Sequence, residues 1–207
     1  MQACDISYWQ GQIDFKKMYA AGIRIVIIRA GYGTTQDKNF VSYINGALAA
    51  GIAVGVYWFM YALNAHGAVA NARKCAEVIL PYKGQITCGV WADWEGDSDR
   101  KAGKLTPAQR SAMVNAFLGV LETDYEVGIY SNQDYIKSGK FTKSLIADYP
   151  LWFAKYSLAI GQYADKGKDK AAYMWQYTSS AYGNMYGVSS ATIDPVSYTH
   201  LTLPTKL

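Results

Sequence analysis

The apolar positions of this chain fall into short runs separated by polar stretches with helical spacing. Eight runs read as strands: Ala3–Ser7, Arg24–Ala30, Ala53–Tyr61, Cys88–Trp94, Glu126–Ser131, Leu151–Ala154, Tyr173–Tyr177 and Ala191–Asp194. Several are continuously apolar rather than alternating, the pattern of parallel strands covered on both faces. Helices are expected at Asp14–Ala21, Asn39–Ala50, His66–Leu80 and from Thr106 to about Thr123, with a shorter one after Asn132. Thr106-Pro107 carries the cap-then-proline signature of a helix start. Lys155–Ala172 and Ser179–Ser190 read as loops. Strands alternating with helices imply βα units and a parallel sheet. The 207 residues suit one domain and sit at the small end for a (β/α)8 barrel. The expected fold is therefore α/β, an abbreviated eight-stranded barrel with some helices missing or shortened. An open doubly wound sheet is the alternative.

One stretch requires a membrane test. Residues Asn39 to Ala72 contain no Asp, Glu, Lys or Arg, and Gly46 to Leu63 is long enough to span a bilayer. An internal echo argues against it. Ala20-Ala21-Gly22-Ile23 recurs 29 residues later as Ala49-Ala50-Gly51-Ile52, and a strand-like run follows each copy. Glycine just past a helix C-terminus takes the left-handed conformation without Cβ strain. Each copy thus reads as helix, stop, buried strand, and no membrane insertion is expected.

Composition narrows the classes. Hydrophobic residues make up 51% and charged residues 17%, enough for a core and against disorder. The net charge of +4 is dispersed rather than clustered, which argues against nucleic acid as a partner. The three cysteines, Cys4, Cys75 and Cys88, are too few for a disulfide scaffold and read as thiols. The start, Met1 to Asp5, has neither the basic residues nor the apolar run of a secretory signal. The 18 tyrosines, with 6 Trp and 6 Phe, supply flat rings with polar handles, suited to recognition surfaces as well as to a core.

In a parallel barrel the chemistry lies at the C-terminal ends of the strands. Those ends carry Asp5-Ile6-Ser7, Tyr57-Trp58-Phe59-Met60-Tyr61, Asp93-Trp94-Glu95 and Asp194. Asp93 and Glu95, spaced i and i+2, point to one face of a strand. Two close carboxyls resist ionising together, so one stays protonated and can protonate a leaving oxygen while its ionised partner stabilises positive charge. Glycoside hydrolysis needs such a pair. The competing readings are a solvated acidic turn over residues 93–99, a metal-dependent hydrolase using Asp93, Glu95 and Asp97, and a sugar-binding module without catalysis. An EF-hand fails, because with Asp93 as position 1 the sixth position is Ser98 and the twelfth Lys104. His66 and His200 stand in no zinc pattern, and no metal or other cofactor is expected. There is no phosphate loop and no Gly-x-Ser-x-Gly elbow.

Taken in order, Asp5-Ile6-Ser7-Tyr8-Trp9-Gln10-Gly11 with Ile13-Asp14-Phe15, Gly55-Val56-Tyr57-Trp58-Phe59, Asp93-Trp94-Glu95, Leu151-Trp152-Phe153-Ala154, Trp175-Gln176-Tyr177 and Asp194 resemble the lysozymes of glycoside hydrolase family 25. The resemblance implies a flattened (β/α)8-like barrel with a reduced set of helices. It also implies an N-acetylmuramidase acting on bacterial peptidoglycan glycan strands; a phage endolysin and a bacterial autolysin both fit, the missing signal and the thiols favour the phage kind, and a monomer is expected. By that resemblance Glu95 is the general acid. Asp93 is its partner, either orienting the substrate's acetamido group or supporting the charged transition state. Asp5 and Asp194 complete the acidic floor, Tyr57 contacts substrate, and Trp58, Tyr61, Trp152 and Tyr177 are candidate sugar-stacking positions. Such an enzyme would be made in the host cytoplasm without a signal and reach the wall on release, or act extracellularly.

Residues 195–207, Pro-Val-Ser-Tyr-Thr-His-Leu-Thr-Leu-Pro-Thr-Lys-Leu, depart from the family pattern and resemble a translated sequencing adaptor. The expectation is a catalytic domain over 1–194 and a non-native tail that packs poorly.

Overall fold

The computed structural model describes residues 2–156, 172–179 and 181–198. Ten strands are present: β1 (Gln2–Ile6), β2 (Ile25–Tyr32), β3 (Thr35–Gln36), β4 (Ala53–Phe59), β5 (Ile86–Asp93), β6 (Val127–Asn132), β7 (Leu151–Ala154), β8 (Ala172–Gln176), β9 (Ala181–Tyr182) and β10 (Thr192–Tyr198). The helices are α1 (Phe15–Ala20), α2 (Phe40–Ala49), α3 (Ala65–Ile79), α4 (Gly96–Ala102), α5 (Pro107–Leu121), α6 (Gln133–Lys137) and α7 (Lys143–Asp148). Eight strands close in the order β1-β10-β8-β7-β6-β5-β4-β2, with β2 returning to β1. The short β3 and β9 hang on β2 and β10.

The barrel is mixed rather than fully parallel. The strands from β1 round to β8 run parallel to their neighbours, but β10 is antiparallel to both β1 and β8. This corrects two expectations. The last strand does not end at Asp194 but begins just before it. The segment after Asp194 also does not pack poorly throughout: Pro195 to Ser197 pair with β1, and Val196 is 1% exposed. An apolar residue inside an alternating run finds a place in the barrel when its neighbours supply a ladder on both sides. Residues 199–207, and most of the expected loop Lys155–Ala172, lie outside the described residues.

Strand alternation divides the core in two. Ile25, Ile27, Trp91, Tyr130, Trp152, Met174 and Val196 form one cluster inside the barrel. Val26, Ile28, Val54, Val56, Trp58 and Ala92 face the other way, against Phe40 and Ala47 of α2, Ala72 and Cys75 of α3 and Phe117 of α5. Gly128 makes the interior packing possible, since a Cβ there would lie 2.4 Å from the Trp91 ring. The helix stops are as patterned: Gly22 and Gly51 take φ of 98° and 74°. Asp14, Asn64, Thr106 and Asn132 each cap a helix, their side chains accepting a backbone N–H. Among the described residues no helix is long and apolar enough to cross a membrane. The three cysteines are buried and unbridged.

Candidate active site

The barrel's rim holds a cleft of about 330 Å³. Four carboxyls line it: Asp5 on β1, Asp93 at the end of β5, Glu95 just beyond, and Asp194 near the start of β10. Because β10 runs opposite to its neighbours, its beginning lies level with their ends, and Asp194 is the direct cross-strand partner of Asp5. Phe59, Asp93, Tyr130 and Trp152 follow one another across β4 to β7 in register. The strand end is tied by Met60 N–H to the Asp93 carbonyl at 2.9 Å and by Trp94 N–H to the Tyr130 carbonyl at 3.1 Å.

The Glu95 backbone is anchored by a knot on the far side. Its N–H donates to Ser98 Oγ at 3.2 Å, at the start of α4. Trp94, fully buried, donates its Nε1 to Asp99 Oδ1 at 2.9 Å. Asp99 also accepts from Arg110 Nε at 2.7 Å, Arg110 Nη2 at 2.9 Å and the Tyr135 hydroxyl at 3.0 Å. Burial pushes the Asp99 carboxyl up, but the bonds from Arg110, Trp94 and Tyr135 outweigh it and hold it below its usual value. The competing reading of a solvated acidic turn is not what forms: residues 96–102 are a short helix, pinned to α5 through Asp99 and Arg110.

Burial controls the electrostatics of the cleft. Asp5 and Asp93 are held well above the usual carboxyl range, first by desolvation, then by neighbouring carboxylates. Glu95 is raised by burial, an effect partly offset by the nearby Tyr130 hydroxyl. Asp194 is pushed up to about 6 by burial and by Glu95. Four carboxyls in a low-dielectric site cannot all ionise, so protons are retained near neutral pH. Arg29 is the one cationic side chain among the described residues lining the cleft, and its Nε is paired with buried Asp37 at 2.8 Å. Asp93 Oδ1, Trp152 Nε1 and Arg29 Nη2 are buried without a hydrogen-bond partner among the described residues.

Of the residues expected in the site, Asp5, Asp93, Glu95, Asp194, Tyr57 and Trp152 come together in the cleft. Trp58 does not: it is 0% exposed, belongs to the outer core, and donates Nε1 to the Gly33 carbonyl at 2.9 Å. It follows Tyr57 on β4, and successive strand residues face opposite sides. Tyr61 lies outside the cleft, packed edge-on against Phe59 and Tyr32 with Lys101 Nζ over its ring at 4.6 Å. Tyr177 also lies outside, its ring 6.0 Å from that of Trp175. Asp97 sits on α4 in an ion pair with Arg100, away from Asp93. No cluster of His, Cys, Asp and Glu suited to a metal occurs among the described residues.

The structure adds residues that the sequence reading missed. Tyr130 donates its hydroxyl to Gln176 Oε1 at 2.6 Å, and Gln176 Nε2 donates to Asp5 Oδ2 at 3.0 Å. Tyr156 donates to the same Oε1 at 3.3 Å. Strand parity could have flagged Gln176, since it shares a face with Met174 inside the barrel.

Residues 4–186 match the family described as Glycosyl hydrolases family 25. The chain belongs to glycosyl hydrolase family 25. This family 25 domain is 27% identical over 201 residues to the autolytic lysozyme of Clostridium acetobutylicum, covering 95% of this chain and 56% of that protein. It is 29% identical over 171 residues to an N,O-diacetylmuramidase of Arthroderma benhamiae, covering 78% of this chain and 70% of the relative. Its fold superimposes on the modular autolysin LytC of Streptococcus pneumoniae with a TM-score of 0.78 at 26% identity, covering 95% of this chain and 46% of that one. The chain thus spans about half the length of two of these relatives. The closed barrel with few helices is the fold of the family.

Proposed function

We propose that this family 25 domain is a muramidase, hydrolysing the β-1,4 bond between N-acetylmuramic acid and N-acetylglucosamine in bacterial peptidoglycan. The observation that carries the reading is the set of four carboxyls converging on one cleft, Asp5 and Asp93 buried and Glu95 and Asp194 half-buried. The names of the relatives, a lysozyme and a muramidase, support the substrate.

Glu95 is the general acid. Burial raises its pKa, the direction that favours holding the proton the leaving glycosidic oxygen needs. Asp93 Oδ1 offers a buried, unpartnered acceptor and Trp152 Nε1 a buried, unpartnered donor. An N-acetyl group carries one N–H and one C=O, the complement of that pair. Asp93 accepts the acetamido N–H and turns its carbonyl oxygen toward the anomeric carbon. That oxygen forms a bond to the carbon as the glycosidic bond breaks, and the leaving oxygen takes the Glu95 proton. Water then opens the cyclic intermediate, giving its proton to the Glu95 carboxylate. Substrate-assisted hydrolysis of this kind is an established variant of glycoside cleavage. Action at the bacterial wall follows from the substrate.

The direct test is Glu95→Gln. The account expects release of reducing ends from purified peptidoglycan to fall by at least about a thousandfold, within the range for loss of an acid catalyst, with the thermal transition unchanged. Activity close to the unsubstituted protein would remove Glu95 from the mechanism.

A further inference from the structure

A tryptophan left mostly open to water is uncommon, because burying an indole is strongly favourable. Four of the six tryptophans, Trp58, Trp91, Trp94 and Trp152, are at most 2% exposed, whereas Trp9 is 67% exposed. Trp9 also lines the cleft that holds the four carboxyls. Of the stacking positions expected from sequence, Trp58, Tyr61 and Tyr177 lie outside that cleft and Trp152 is buried, so none offers it an open ring. Among the described large apolar side chains along the cleft only Trp9 and Tyr156 are exposed, and the Tyr156 hydroxyl is bonded to Gln176.

The backbone that carries Trp9 is held on both sides. It forms a single 3-10 turn, Tyr8–Gln10, just after β1. Tyr8 N–H donates to Asp37 Oδ2 at 3.2 Å, and Ser7 N–H to Gln10 Oε1 at 2.7 Å. The Gln10 carbonyl accepts from Ser189 Oγ at 3.1 Å and from Ser190 N–H at 3.2 Å, and the Gly11 carbonyl from the Tyr43 hydroxyl. The indole leans on the Tyr8 ring, with centroids 4.3 Å apart and planes 33° apart. The charged groups of Arg29 and Lys38 brace Tyr8 in turn, at 4.8 and 4.6 Å from its centroid. A flat apolar surface fixed in place and left open receives a second one at little entropic cost. The C–H side of a pyranose ring is such a surface.

Position decides which sugar it meets. Trp9 follows β1 and Glu95 follows β5, and β2 and β4 stand between them in the barrel wall. Three strand spacings of about 4.8 Å each separate the two along that wall. Trp9 is thus across the mouth from the acid rather than beside it.

We propose that Trp9 is a stacking platform for a sugar of the glycan strand beyond the two that flank the scissile bond. The proposal deepens the muramidase reading and rests on it for the nature of the ligand. Grip on a remote sugar supplies binding energy that is used at the reacting centre.

With the six tryptophans labelled as fluorotryptophan, the fluorine resonance missing in Trp9→Phe assigns the site. The probe is a six-sugar glycan of alternating N-acetylglucosamine and N-acetylmuramic acid, freed of peptide. It is added to the Glu95→Gln protein so that it stays whole, and the Trp9 signal shifts as it binds. In the protein with its acid intact, Trp9→Ala shrinks the kcat/KM advantage of the six-sugar glycan over a two-sugar one by about tenfold, the scale of one aromatic stacking contact. Trp9→Tyr keeps a ring and restores most of that advantage. A Trp9 signal unmoved by the glycan overturns the proposal. So does an equal loss on both lengths, the mark of a merely structural role, or a Trp9→Tyr protein no better than Trp9→Ala. A shifted Trp9 signal in a protein that releases no reducing ends refutes the muramidase reading alone. Reducing ends released by a protein whose Trp9 signal stays unmoved refute the platform alone.

Discussion

Replacing Asp194 by Asn should stabilise the folded protein, and only at the pH where the carboxyl would be ionised. Asp194 moves from 3.8 to about 6, chiefly by burial and then by the nearby Glu95. A carboxyl with a raised folded-state pKa binds its proton more tightly in the native state than in the unfolded chain. Its contribution is neutral below the unfolded value. Stability then falls as pH rises from about 4 to about 6, and the full cost is present above that. Two pH units at about 1.4 kcal/mol each set a ceiling of about 3 kcal/mol. Asp194 keeps some contact with solvent, and Asp5, its cross-strand partner, can take up the proton in its place. The expected gain for Asp194→Asn is therefore about 1–2 kcal/mol at pH 8 and close to zero at pH 4. Urea unfolding of the two proteins at unit steps from pH 4 to pH 8 measures it, with the difference opening between pH 4 and pH 6. A gain independent of pH, or a loss at pH 8, would refute the reasoning. Activity should fall in the same variant, the usual exchange when a strained site is relaxed.

Three other substitutions separate site from scaffold. Trp58→Ala should cost about 3–5 kcal/mol, because a fully buried indole is lost from the outer core; activity per folded molecule, measured at low temperature, should change little. Arg110→Ala leaves Asp99 without its ion pair beneath α4. Thermal unfolding should show a loss of about 3 kcal/mol, and kcat should drop as the Glu95 turn loosens. Gly128→Ala forces a methyl against Trp91 and should cost about 1–3 kcal/mol. An unchanged unfolding midpoint there would mean the interior is looser than drawn.

The alternation of Asp93 and Glu95 was legible because parity on a strand follows from backbone geometry alone, and the structure keeps both in the cleft. The same parity rule shows why Tyr57 and Trp58 could not share a face, and Gln176 and Tyr177 are divided in the same way, only the first lining the cleft. Strand direction was not legible. A run such as Thr192 to Tyr198 presents the same alternation whether it runs up or down, and what sets β10 antiparallel is its pairing with β1 and β8. Helix α4 was missed for a different reason. Gly-Asp-Ser-Asp-Arg-Lys-Ala has no apolar period, and it is held by Asp99 reaching Trp94, Arg110 and Tyr135, contacts distant in sequence. Pro195 and Val196 read as foreign by motif, yet their pattern meets the needs of a barrel strand.

The central claim is that the Glu95 cleft cuts one particular bond. Mass spectrometry of the saccharides released from purified peptidoglycan tests it most directly. The account predicts fragments with muramic acid at the reducing end, formed by the unsubstituted protein and absent with Glu95→Gln. Fragments ending in reducing glucosamine, or the same products from both proteins, would contradict it.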